Sequence, residues 1–135
     1  MDDDLKFKHP FTSIIGGPTG SGKLTFCIRL LQNLKSLCTE QEFNGGIYWC
    51  YGERSVVRDG ELTELNNTIR IHKGVTENFE NKNGKPCLII LDDLLDVAYS
   101  KEVFNLFTKG SHHRNISVIL ITQNLFHPAN CCRDI

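Results

Sequence analysis

Short apolar runs separated by polar stretches set the rhythm of this chain, and the spacing inside each run decides what it predicts. Residues 11–16 end in the β-branched, apolar core Ile14-Ile15 and predict a first strand, apolar on both faces as in a buried parallel strand. From Gly22 to Leu37 the apolar positions Leu24, Cys27, Ile28, Leu31 and Leu34 recur at helical spacing. Arg29, Gln32, Asn33 and Lys35 fall on the opposite side, so one helix with a buried and a solvated face is expected. Asn44-Gly45-Gly46 predicts a turn, and residues 47–51, I-Y-W-C-Y, a second strand that ends at Gly52. Residues 55–68 are polar, with a weak helical pattern near Leu62 and Leu65, and the alternation at 69–72 suits a short edge strand. A polar, Asn/Gly/Lys-rich surface loop is expected over 76–86. C-L-I-I-L at 87–91 predicts another buried strand. A second helix is expected over roughly 97–109, with Val103, Phe104 and Phe107 on its apolar side. Residues 110–115 predict a turn, and I-S-V-I-L-I-T at 116–122 a last strand.

Composition narrows the class without naming the chemistry. At 135 residues the chain is at most one domain, read here as residues 1–135. With 40% hydrophobic and 23% charged residues it can build a core. A net charge of −1 gives no global field for nucleic acid, so any such contact has to be local. None of the six cysteines forms a C-x-x-C pair, which argues against zinc. Cys27, Cys50 and Cys87 lie in apolar stretches and read as small buried hydrophobes, a usage suited to a reducing compartment. The start, M-D-D-D-L-K, has no apolar signal region, and no run reaches the ~18 apolar residues of a membrane span. A soluble, intracellular protein without membrane contact is expected.

The chemistry concentrates where strands end. Residues 14–25 read I-I-G-G-P-T-G-S-G-K-L-T, and Gly17, Gly22 and Lys23 fit the phosphate-loop spacing G-x-x-x-x-G-K-[S/T] at every position but the last. In that reading Gly17, Pro18, Thr19, Gly20, Ser21, Gly22, Lys23, Leu24 and Thr25 form the nucleotide cradle. Glycines let successive N–H groups turn toward one anion, the following helix points its positive end at the same spot, and Lys23 supplies a full charge. Leu24 stands where a Ser or Thr hydroxyl would ligate Mg²⁺. Thr25 lies about 100° further around the helix and is a poor substitute.

The strand at 87–91 runs into Asp92-Asp93, delivering carboxylates to the carboxyl edge of the sheet next to the phosphate loop, where open α/β sheets bind ligands. Asp92 can hold Mg²⁺, directly or through water, and Asp93 can orient or deprotonate the attacking water. The last strand ends in Gln123-Asn124, where an amide can hold that water or sense a terminal phosphate. Arg54 follows the second strand and could reach a phosphate, although a solvated charge is the preferred reading. His112-His113 lie on a turn with no third ligand near in sequence, so a structural role is preferred to a metal site. Arg114, on the same turn, is expected at the amino edge, where it could act only on a neighbouring molecule.

The phosphate loop, the L-I-I-L-D-D strand and S-H-H-R-N-I-S-V-I-L-I-T-Q-N-L-F together resemble the genome-packaging ATPases of the FtsK–HerA superfamily. The branch is the poxvirus-type packaging ATPase of large DNA viruses, adintoviruses and Maverick/Polinton elements. The resemblance runs from Lys8 to Ile135, and its specific part is 110–126. It implies a RecA-like α/β P-loop NTPase fold, with a mostly parallel sheet flanked by helices. It further implies ATP and Mg²⁺ as cofactors, a homo-oligomeric ring, double-stranded DNA as the moved partner, and a capsid protein as a further partner. Carried over by position, Lys23 holds the phosphates, Asp92 the metal and Asp93 the water, and Gln123 is the sensor. Two departures stand out: Leu24, and an ending at Ile135 where the family continues into a further strand beside the phosphate-loop strand. The resemblance therefore also implies a truncated domain lacking that strand. Arg133 matches a basic position just before it and could serve a neighbouring active site.

Three readings follow in order. The first is an ATPase motor subunit acting on double-stranded DNA. The second is a catalytically impaired, nucleotide-binding remnant of one. The third is a small-molecule or nucleoside kinase, which would need an acceptor site and a lid, and no Arg-rich lid segment is seen in the sequence. DNA enters by resemblance alone, since no basic stripe is present.

Overall fold

The computed structural model describes residues 6–18, 22–40, 42–52, 69–74, 84–94, 100–106 and 115–123. Its frame is a five-stranded sheet built from β1 (Thr12–Gly16), β2 (Gly46–Tyr51), β3 (Ile69–Lys73), β4 (Cys87–Asp92) and β5 (Ile116–Thr122) in the order β1-β5-β4-β2-β3. Among the described residues every strand pairing is parallel, in keeping with the mostly parallel sheet expected. The fold is α/β, a parallel sheet flanked by helices as in RecA-like domains.

The composition of each strand follows from its place. All residues of β4 and β5 are buried, because both strands are central and covered on both faces, and a parallel sheet of this kind needs continuous apolar runs. β3 is at one edge, and its Arg70, His72 and Lys73 are exposed. Charged side chains on an edge discourage pairing with another chain.

Two apolar layers sandwich the sheet. On one face Ile47, Trp49, Leu88, Ile90, Ile119 and Ile121 meet Cys27, Leu30, Leu31 and Leu34 of helices α1 (Lys23–Gln32) and α2 (Leu34–Leu37). On the other face Cys50, Ile89, Leu91, Val118 and Leu120 meet Val103, within helix α3 (Ser100–Asn105), and Leu106, just beyond it. Cys27, Cys50 and Cys87 are buried as expected, and Cys38 joins them.

The single helix expected to run to Leu37 is broken at Asn33. Asn33 leaves helical geometry at φ −124°, ψ 31°. Its side-chain amide donates to the Arg29 carbonyl at 2.8 Å, and its backbone N–H donates to Leu30 at 3.1 Å. A short amide that hydrogen-bonds nearby backbone competes with the next helical turn. The chain then restarts as α2, which keeps Leu34 on the buried stripe.

A polar clasp closes the amino edge of the sheet. The Phe11 N–H donates to Ser117 Oγ at 3.1 Å. The His9 ring bridges Ser117 Oγ at 2.5 Å and Asn115 Oδ1 at 2.7 Å, and the Asn115 amide donates to the Gly84 carbonyl at 3.0 Å. Ser117 is fully buried, and these bonds satisfy its hydroxyl while tying the lead into β1 onto β5. The chemistry lies at the opposite, carboxyl edge. Helical patterns expected at 55–68 and in the flanks of 97–109 lie outside the described residues, as does any segment beyond Gln123.

Candidate functional site

Three strand ends converge on one rim. Register pairs Gly16 with Thr122 and Asp92 with Ile121, so β1, β5 and β4 stop nearly level. Two backbone hydrogen bonds carry the alignment past the strands: Gly17 N–H to the Thr122 carbonyl at 3.2 Å, and Asp93 N–H to the Ile121 carbonyl at 3.0 Å. The expectation that the acids sit next to the loop needs one correction. β4 is not the neighbour of β1, because β5 lies between them. At the ~4.8 Å spacing of adjacent strands, the acids are about 10 Å across the rim from β1. The residue that fills this gap along the edge is Gln123, which follows β5 directly and is exposed.

On the loop side the described residues are Gly17, Pro18 and those from Gly22 onward. Gly22 caps α1 in the left-handed region at φ 91°, and a Cβ placed there would meet nothing within 4 Å. Gly22 offers no side-chain cap and no acid stands in the first turn, so the helix itself supplies no carboxylate to its first backbone donors. The Lys23 ammonium donates to the carbonyls of Gly17 and, at 3.4 Å, Pro18. A terminal phosphate would compete with these neutral acceptors for a full charge. Thr19, Gly20 and Ser21 lie outside the described residues. Leu24 is half-buried and packs on the cluster that includes Cys27 and Trp49, while Thr25 is exposed.

On the acid side the two carboxylates differ. Asp92 continues the Leu88, Ile90 alternation onto the α1 face and is 8% exposed. The Trp49 indole N–H, itself fully buried, donates to Asp92 Oδ2 at 3.4 Å. Burial, with the Asp92 charge beside it, pushes the Cys27 thiol up to about 12, so this thiol stays protonated and unreactive at neutral pH. Asp93 breaks the strand in the left-handed region at φ 57°, a conformation Asp tolerates better than most residues. Gly52 makes this turn possible: a Cβ there would lie 2.6 Å from the Asp93 carbonyl oxygen and 3.3 Å from Leu94.

These residues suit a magnesium–nucleotide complex in donor chemistry. A magnesium ion takes hard oxygens, keeps several waters, and is commonly held by one or two carboxylates plus substrate phosphates rather than by a protein cage. Asp92 supplies one such oxygen donor. Among the described residues no three His, Cys, Asp or Glu side chains are grouped to hold an ion by themselves, so the phosphates would have to bring the remaining ligands. Lys23, Asp92, Asp93 and Gln123 thus share the rim. Arg54, His112, His113, Arg114, Asn124 and Arg133 lie outside the described residues.

Sequence reasoning missed Trp49 and Gly52. The signal for Trp49 was available in part: a tryptophan in a buried strand must find an acceptor for its N–H, although nothing in sequence says which. Among the described residues no helix is long and apolar enough to cross a membrane. The family described as Poxvirus A32 protein matches residues 55–135. That stretch carries β3, β4, β5, Asp92, Asp93 and Gln123 and begins after the phosphate loop. No curated protein matches the chain.

Proposed function

The chain belongs to the Poxvirus A32 protein family of viral genome-packaging ATPases, and from that membership we propose that it binds and hydrolyses ATP as a motor subunit that moves double-stranded DNA. The observation that supports this most is the shared rim: the loop that begins at Gly17 and the acids of the matched segment are both hydrogen-bonded to the end of β5.

In this reading Lys23 and the backbone donors at the start of α1 hold the β- and γ-phosphates. Asp92 would hold Mg²⁺, directly or through water. When bound, the ion offsets the negative charge of the phosphates. Asp93 accepts the proton of the attacking water or fixes its direction, and Gln123, between loop and acids, contacts the water or the γ-phosphate. Because Gln123 is continuous with β5, loss of the γ-phosphate is felt at a strand end rather than on an isolated side chain. A homo-oligomeric ring, a capsid partner and an arginine from a neighbouring subunit belong to the same proposal.

Leu24 favours a second reading, a nucleotide-binding subunit in which metal-assisted turnover is impaired. Phosphate release from Mg·ATP separates the two. The motor reading expects wild-type turnover that Lys23→Ala and Asp93→Asn abolish, Asn being chosen because it also tolerates the left-handed backbone at this position. Wild-type turnover no greater than that of the two variants, with ATP still bound, would refute the motor reading and leave the second.

A further inference from the structure

A buried carboxylate is useful to a metal only if it is held still, and one group that bonds it here is an unusual choice. Trp49 is central in β2, fully buried, and paired in register with Ile90, two residues before Asp92. Packing alone does not call for a tryptophan: a phenylalanine would fill much of the same layer without a polar atom to satisfy. The indole N–H is satisfied by Asp92 Oδ2 at 3.4 Å. The same bond supplies a donor to a carboxylate that is only 8% exposed. Desolvating such a group is costly without a hydrogen-bonding partner.

We propose that Trp49 is a positioning residue for the divalent cation that accompanies the nucleotide: its indole N–H claims Asp92 Oδ2 and fixes the plane in which the carboxylate meets the ion. The inference rests on the nucleotide reading above and adds to it a residue outside the loop, the acids and the sensor. Groups that hydrogen-bond a metal's ligands typically change metal affinity 10- to 100-fold when removed. A single neutral donor at 3.4 Å, longer than the usual 2.9–3.0 Å for N–H···O, belongs at the low end, about tenfold. The same bond makes the chain's single tryptophan a reporter of what happens at Asp92.

ATP binding to the full chain is measured by calorimetry across a Mg²⁺ titration and in EDTA, for wild type, Trp49→Phe and Asp92→Asn. Trp49→Phe is expected to raise the Mg²⁺ concentration for half-maximal effect about tenfold while leaving affinity in EDTA within twofold. A purely structural role would weaken binding in both conditions alike and overturn the inference, as would an unchanged Mg²⁺ midpoint. The second measurement needs no variant at Trp49. Wild-type tryptophan emission should shift on adding ATP with Mg²⁺, shift less with ATP in EDTA, and lose the difference in Asp92→Asn. Equal shifts with and without Mg²⁺ would overturn the inference while leaving the nucleotide reading intact. Wild type that binds no ATP in either condition would remove the nucleotide reading and this inference with it.

Discussion

Replacing Leu24 by serine should move stability and metal response in opposite directions, and that opposition tests the reading of the loop. Leu24 is half-buried on the cluster formed by α1 and the sheet. Burying a whole leucine side chain contributes about 1.5–3 kcal/mol, so a half-buried one contributes roughly 1–1.5 kcal/mol. Serine in a helix costs about 0.5 kcal/mol more. Leu24→Ser should therefore lose about 1.5–2 kcal/mol of folding stability, or about 5–8 °C in Tm for a chain of this size. If position 24 faces the cation, the new hydroxyl replaces a water ligand with a tethered one. A net gain on the scale of one intramolecular hydrogen bond, about 1–1.5 kcal/mol, corresponds to roughly tenfold in the Mg²⁺ midpoint for ATP binding.

Leu24→Ala supplies the control, since it removes the same packing and adds no oxygen. Urea denaturation gives the stability term, and calorimetry of ATP with and without Mg²⁺ gives the metal term. The Ser variant should be destabilised to a degree similar to Ala yet be the one with the stronger Mg²⁺ response. If the two variants respond to Mg²⁺ alike, the side chain at 24 does not face the cation. The claim that the leucine weakens metal binding then fails. If the Ser variant also turns over ATP and the wild type does not, the impaired-subunit reading gains over the motor.

Two further perturbations test the frame around the site. Gly52→Ala places a Cβ 2.6 Å from the Asp93 carbonyl oxygen, an overlap that should cost about 1–3 kcal/mol in urea denaturation and reduce any turnover more than it reduces ATP affinity; unchanged stability would show that the Asp93 turn yields freely. The thiols of Cys27, Cys38 and Cys50 are pushed up by burial to about 12, 11 and 12 from an ordinary 9.0. Because the folded values are raised, this stability is fully present below about pH 9 and declines as pH rises toward 11–12, by about 1.4 kcal/mol per pH unit per thiol. Cys50→Ala should reduce the alkaline slope of urea stability by one such increment, whatever it does to the intercept; an unchanged slope refutes the assignment.

The strands were legible because a central parallel strand must be apolar on both faces. β2, β4 and β5 follow this rule, and even the edge strand β3 announced itself by alternating Ile69 and Ile71 with charged or polar neighbours; β1 was placed correctly but is not the buried strand expected, because it lies at the other edge with Ile14 exposed. The stop at Asn33 was less legible, since its effect depends on an amide reaching back four residues to Arg29. Strand order was not legible, because apolar runs carry no label for their neighbours. Placing β5 between β1 and β4 separates the loop from the acids and puts Gln123 between them. Trp49 and Gly52 were missed for the same reason: each matters through a residue some forty positions away, Asp92 or Asp93.

The family match begins after the phosphate loop, so it says nothing about how the loop meets the acids. The physical link is supplied by β5, whose last two carbonyls accept from Gly17 on one side and Asp93 on the other. A strand buried along its whole length and paired on both edges cannot shift one rim contact without straining the other. In the proposed reading a change at the loop would reach the acids through β5 itself, and Gln123, the first residue beyond the strand, would register it.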